Sequence, residues 1–265
     1  AAGAAPARES TSAWPLGGAS HPPPSGWNRV LNEDFDVPLR SWRWNRCHWW
    51  NDGGCTIASN HELQWYLPGN VWVSNGRLVM EARRQDVTTP TGARYDYSSG
   101  MVTTGPPQYR TAAKFAFTYG YAEARIRIPA GRGLWPAFWL LPADQQSRPE
   151  IDVVEVLGHD TRTSRFHYHY VDRSGVRRSL GHRWTGPELA GTWHRFAIDW
   201  RPGEITFIVD GQARWRVRGN EVSNEPMYLV FNLAVGGDYP GPPDSSTRFP
   251  ARFEVDWVRV WQAPR

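Results

Sequence analysis

Nowhere in the 265 residues do about eighteen apolar side chains follow one another, so the chain offers no helix able to cross a bilayer. Charge is equally unconcentrated. The formal balance is +4, the basic residues are nearly all arginine, and no block of five or more like charges occurs. Nucleic-acid binding would favour a clustered basic stripe, so neither a nucleic acid nor a membrane is expected as a partner. Helical signal is scarce as well, the nearest candidate being a short stretch around residues 187–191. Cysteine is almost missing. Cys47 and Cys55 bracket one short loop, RCHWWNDGGC. A disulfide in an oxidising compartment, two free thiols and a metal pair are all readings of it, the last at a spacing that matches no zinc pattern. The disulfide is the expectation.

What the chain has in excess is aromatic: 16 Trp, 10 Tyr and 10 Phe, more than a core alone needs. Such a surplus suits a surface that stacks on flat apolar faces, those of sugars or bases. Residues 1–25 are rich in Ala, Pro, Ser and Gly and read as a disordered or extended leader. The start lacks the basic and apolar regions of a signal peptide and is compatible with the mature end of a secreted protein. From residue 26 to 265 no second linker and no internal repeat interrupts the chain, so one domain is expected. It reads as β. Ala122, Ala124, Ile126 and Ile128 alternate with polar neighbours, and the same period of two runs from Phe253 to Trp257. Apolar runs over 135–141 and 227–235 suit strands buried on both faces. Asn75-Gly76 and Asp210-Gly211 are hairpin turns. Many strands without helices mean a sandwich or a barrel.

The centre of the sequence is Glu150-Ile-Asp152-Val-Val-Glu155. On a regular strand Glu150 and Asp152 share a face, whereas Glu155 falls with Ile151 and Val153 in the apolar layer. An ionised carboxylate there would cost several kcal/mol. One extra residue at Val153-Val154, a β-bulge, returns Glu155 to the face of its companions. Three crowded acids gain nothing for solubility, and a calcium site is one use of them. Glycoside hydrolysis is a better one: one carboxylate attacks the anomeric carbon while another, kept protonated, donates to the leaving oxygen. Trp135 and Trp139, four apart, would share a strand face and could flank a sugar. His167 and His169 also share a face, where one could hydrogen-bond the acids or the substrate.

These blocks resemble glycoside hydrolase family 16, in particular its laminarinase-like, endo-β-1,3-glucanase branch. The likeness spans nearly the whole chain from Leu31. It rests on the bulged acid motif, on the hairpin around Asn75-Gly76, on Trp135-Pro-Ala-Phe-Trp139 and on Asn232-Leu-Ala-Val-Gly-Gly237. The resemblance implies an all-β jelly-roll sandwich, concanavalin A-like, of two antiparallel sheets with a concave substrate cleft. It implies a secreted, monomeric, retaining enzyme on a β-glucan polysaccharide, with no cofactor in the chemistry. Glu150 would be the nucleophile, Glu155 the acid/base, and Asp152 the residue that tunes them. Trp135, Trp139, His169, Asn70 and Arg84 would line the cleft, and Glu33 and Asp256 would hold a structural calcium. One departure stands out: family members carry a glycine just before the first Glu, and this chain has Gln146-Ser-Arg-Pro149. Other outcomes on the same scaffold are a non-catalytic glucan-binding protein, a transglycosylase, or an enzyme for galactans.

Overall fold

Period-two patterning produces strands throughout residues 20–50 and 55–264, the part of the chain that the structure, a computed structural model, describes. In chain order they are β1 (Asn28–Glu33), β2 (Gln64–Tyr66), β3 (Val71–Val73), β4 (Leu78–Thr88), β5 (Arg94–Ser99), β6 (Met101–Thr103), β7 (Gly120–Arg127) and β8 (Leu134–Pro142). Then follow β9 (Glu150–Glu155), β10 (Thr163–Val171), β11 (Arg177–Thr185), β12 (His194–Arg201), β13 (Glu204–Val209), β14 (Gln212–Arg218), β15 (Met227–Val235) and β16 (Ala251–Gln262). Among the described residues the only helical pieces are single 3-10 turns at Ala58–Asn60 and Pro68–Asn70. Residues 187–191 are not helical. Ala190 there bridges Ile128 and takes the Glu188 carboxylate on its N–H at 2.8 Å, so the segment is spent as a strap between strands.

Two sheets result. The larger runs β14-β13-β12-β7-β16-β4-β5-β2, with β1 on β16 and β3 on β4; the smaller runs β11-β10-β9-β8-β15-β6. This is the expected jelly-roll sandwich. One pair departs from the antiparallel rule: β2 lies parallel to β5, with β3 and β4 forming the crossover such a pair requires. Both predicted hairpin turns have the left-handed backbone that their residues favour, Asn75 and Gly76 at φ 53° and 66°, Asp210 and Gly211 at 51° and 75°.

The core lies between the sheets. Ala122, Ala124, Ile126 and Ile128 enter it as expected, beside Phe138, Phe166, Trp200, Phe207 and Phe231. The stacked rings of Phe138 and Phe231, 4.3 Å apart, pin β8 to β15. In β16 the alternation is broken. The register slips between Val255 and Trp257, so Val258 continues the core and Trp257 turns partly outward. On the far side of the larger sheet Tyr121, Ala197 and Ile208 form a small second cluster. The end of the N-terminal segment is tied near it: Ser20 bridges Gln212, His21 Nε2 lies 2.9 Å from Asp199, and Tyr121 donates to the His21 carbonyl at 3.1 Å. The rest of the expected leader, residues 1–19, lies outside the described residues.

Candidate active site

β8 and β15 pair in unbroken register, Leu134 with Val235 through to Pro142 with Met227. Alternation then sends Phe138 and Leu140 into the core and leaves Trp135, Ala137 and Trp139 on the opposite face of the smaller sheet. β9 lies beside β8, and its ladder slips once: Phe138 pairs with Val154, but Trp139 pairs with Asp152. The ladder to β10 slips at the same place, between Arg165↔Glu155 and His167↔Asp152. The extra residue is at Val153–Val154, and both valines are in the core. Glu150, Asp152 and Glu155 therefore line one pocket together with Trp135, Ala137 and Trp139 of the neighbouring strand, around about 320 Å³ of space open to solvent.

Each acid has its own partners. Glu155 accepts from the Trp135 indole at 3.0 Å and meets His167 Nδ1 at 2.5 Å. His169 Nε2 stands 3.2 Å from Asp152 and 3.9 Å from Glu150. Arg148 donates to Glu150 at 2.6 Å from the loop where the family pattern has glycine. Burial first, then the Asp152 carboxylate, push Glu150 up to about 7, against the lowering by His169 and Arg148. Burial together with the Glu155 charge drives Asp152 well above the usual carboxylate range. Burial would lower the His167 imidazole, but the adjoining Glu155 carboxylate overrides it and raises His167 to about 9. For His169 burial prevails over Glu150, and its imidazole is lowered.

Three further residues belong to this site and escaped the sequence reading. Glu62, just before β2, is a fourth carboxylate in the pocket wall, pushed by burial to about 7. It accepts from Gln64 at 2.6 Å, from Asn60 at 3.0 Å and from the Tyr66 hydroxyl. Asn232 donates to that hydroxyl at 2.9 Å and accepts from the Trp139 indole at 2.7 Å. This chain of bonds fixes the orientation of Trp139. Tyr239, the third, stands beside Trp135 and His167, its ring edge-on to Trp135 at 5.4 Å and 6.3 Å from the His167 ring. The Glu62-x-Gln64-x-Tyr66 period was a usable signal of a polar strand face.

Two predicted lining residues are elsewhere. Asn70 is buried, its amide donating to the Glu81 carbonyl at 2.8 Å and to Ser98 at 2.9 Å, which makes it a brace between β4 and β5. Arg84 is exposed on β4, its guanidinium 6.0 Å from the Tyr97 ring, and does not line the pocket. The calcium pair does not fit either. Glu33 faces Arg40 at 3.6 Å and the Trp44 indole at 3.4 Å, and Asp256 is bound by Arg125 at 2.6 Å. Each carboxylate already has a cation, whereas calcium needs six or more oxygens. Among the described residues, one group of metal-type atoms gathers within 4.8 Å, on Asp152, His167 and His169. Imidazoles are poor calcium ligands, and these two already face carboxylates, as a proton network requires. The cysteines meet the expectation, Cys47 and Cys55 being linked with Cα atoms 5.7 Å apart.

Gly181 explains how His167 reaches Glu155. It sits opposite His167 in the β10–β11 ladder, and a Cβ on it would lie 2.6 Å from the ring Cδ2 and 3.0 Å from Nε2. Gly181→Ala should push the imidazole off Glu155 and lower kcat roughly 10- to 100-fold, in line with misplaced catalytic groups. An unchanged kcat would show that His167 does not position Glu155.

Comparison with known proteins agrees with this geometry. Residues 59–259 match the model of glycosyl hydrolases family 16. The chain is 35% identical over 230 residues to the endo-1,3-1,4-beta-glycanase EglC of Rhizobium meliloti, covering 82% of this chain and 47% of the relative. A beta-glucanase of Rhodothermus marinus is 31% identical over 89% of this chain and 85% of its own. The chain thus spans about half the length of EglC and most of the R. marinus protein. The catalytic domain of an endo-1,3-beta-glucanase (laminarinase) from Thermotoga petrophila superposes with a TM-score of 0.78 at 33% identity, over 90% of this chain and 99% of that one.

Proposed function

From the premise that the chain belongs to glycosyl hydrolases family 16, we propose that it is a secreted, retaining endo-β-1,3-glucanase acting on laminarin-type or mixed-linkage β-glucan. The observation that carries this reading is the slip at Val153–Val154, which sets three carboxylates beside two tryptophans in one pocket. Cutting within a polymer is the reading favoured by the endo-acting glucanases to which the chain is similar. Glu150 attacks the anomeric carbon as Glu155 passes its proton to the departing glycosidic oxygen, so the C–O bond breaks and a glycosyl ester forms on Glu150. Glu155, now ionised, takes a proton from water. That water attacks the same carbon and releases Glu150, so configuration is retained. Asp152, raised by burial and by the Glu155 charge, stands between the two glutamates on the strand and in turn helps to raise Glu150. The disulfide fits an oxidising, extracellular setting.

The substrate assignment is tested by incubating the protein with laminarin, lichenan, agarose and carrageenan and sizing the products. Laminarin and lichenan should yield short oligosaccharides from the first minutes, with the two galactans intact. Laminarin left whole while a galactan is degraded would overturn it.

A further inference from the structure

The loop closed by the disulfide carries two tryptophans that the catalytic pocket does not use. Its rings continue from Trp139 in sequence. His48 lies 6.0 Å from Trp139, Trp50 stacks on His48 at 4.0 Å and 9°, Trp49 meets Trp50 edge-on at 5.4 Å, and Tyr109 stacks on Trp49 at 5.7 Å. Along this series Trp50 and Tyr109 are 39% and 62% exposed, unusual for large rings. They are nevertheless held firmly. Cys47–Cys55 closes the first loop, and the Trp50 indole donates to the Thr56 carbonyl at 3.4 Å. The loop bearing Tyr109 is clipped to Gln145, which donates to the Gln108 carbonyl at 2.8 Å and accepts from the Arg110 N–H at 2.7 Å.

From this geometry we infer that the 47–50 and 108–110 loops form a distal sugar-binding subsite, an aromatic track that carries a β-glucan chain beyond the catalytic pocket. The exposed rings and their continuity with the pocket through Trp139 favour a saccharide. Rigid, exposed aromatic faces stack on the apolar faces of pyranose rings without having to be ordered at binding. His48, 2% exposed, is the buried link between Trp139 and Trp50, which stacks on it. Burial lowers its imidazole to about 3, so the ring stays neutral beneath Trp50. The track joins the pocket through Trp139, so one polymer chain can occupy both.

The inference rests on the proposed glucanase reading, and the test separates the two. Trp50→Ala and Tyr109→Ala are compared with the unaltered protein on laminarin oligosaccharides of three and of seven or more units. Each variant should lose roughly five- to tenfold in kcat/KM on the longer oligosaccharides, mainly through KM, and remain within twofold on the trimer. Trp50→Phe, which keeps a flat face, should restore most of the loss. Equal losses on both lengths, or no loss on either, would overturn the track. If the unaltered protein cleaves no β-glucan, the glucanase reading itself fails, whatever the variants do.

Discussion

Glu150→Gln should abolish hydrolysis, lowering kcat on laminarin by at least ~10⁴-fold, as removal of a covalent nucleophile does elsewhere. Binding of laminarin oligosaccharides, read by calorimetry, should stay within a few-fold. The substitution keeps shape and hydrogen-bonding capacity while removing the attacking oxygen's charge. Arg148, which now pairs with Glu150 at 2.6 Å, can still bond the amide oxygen. The nucleophile must be ionised, and burial with the Asp152 carboxylate raises Glu150 to about 7. In the unaltered protein kcat/KM should therefore fall as pH drops through about 7, tenfold per unit further down. Full activity in Glu150→Gln would remove Glu150 as the nucleophile and with it the mechanism proposed above.

The position of these acids was legible in the sequence because a conflict made it so. Regular alternation would have driven Glu155 into a layer of Ile151 and Val153, and only an extra residue resolves that. Both ladders slip where the conflict predicts. Trp135 and Trp139 were legible for the simpler reason that a strand's period is two. Glu62 and Arg148 were not. Glu62 reaches the pocket because β2 pairs parallel to β5 at the far edge of the larger sheet, a placement no local pattern encodes. Arg148 stands in a loop, where reach depends on the path of the backbone and not on periodicity. Asn70, Arg84, Glu33 and Asp256 were placed by family likeness alone. Asn70 braces a buried strand junction and the two acids are held by arginines, because a side chain's partner is chosen by the residue opposite it in the fold.

Glu155 gives the second large effect, and its signature differs from that of Glu150. Glu155→Ala removes the proton donor to the leaving oxygen, so cleavage of laminarin should slow by ~10²–10⁴-fold. An aryl glycoside with a good leaving group needs no such proton. Its first step should proceed nearly as before, leaving a glycosyl ester on Glu150 that water attacks slowly without a base. A burst of released phenol followed by a slow steady rate is the expected trace. Added azide, which needs no base, should quicken that steady rate and give a glycosyl azide of retained configuration. The alkaline side of the pH profile follows from the same contact. His167, 2.5 Å from Glu155, is raised to about 9, chiefly by that carboxylate's charge. Activity in the unaltered protein should fall as pH rises through about 9, when the His167 imidazolium beside Glu155 loses its charge. Without the Glu155 carboxylate, His167 loses the charge that raises it while burial still lowers it, so any remaining alkaline limb in Glu155→Ala should move to lower pH. An azide product of inverted configuration, or a variant with no burst, would assign the proton donor to another group.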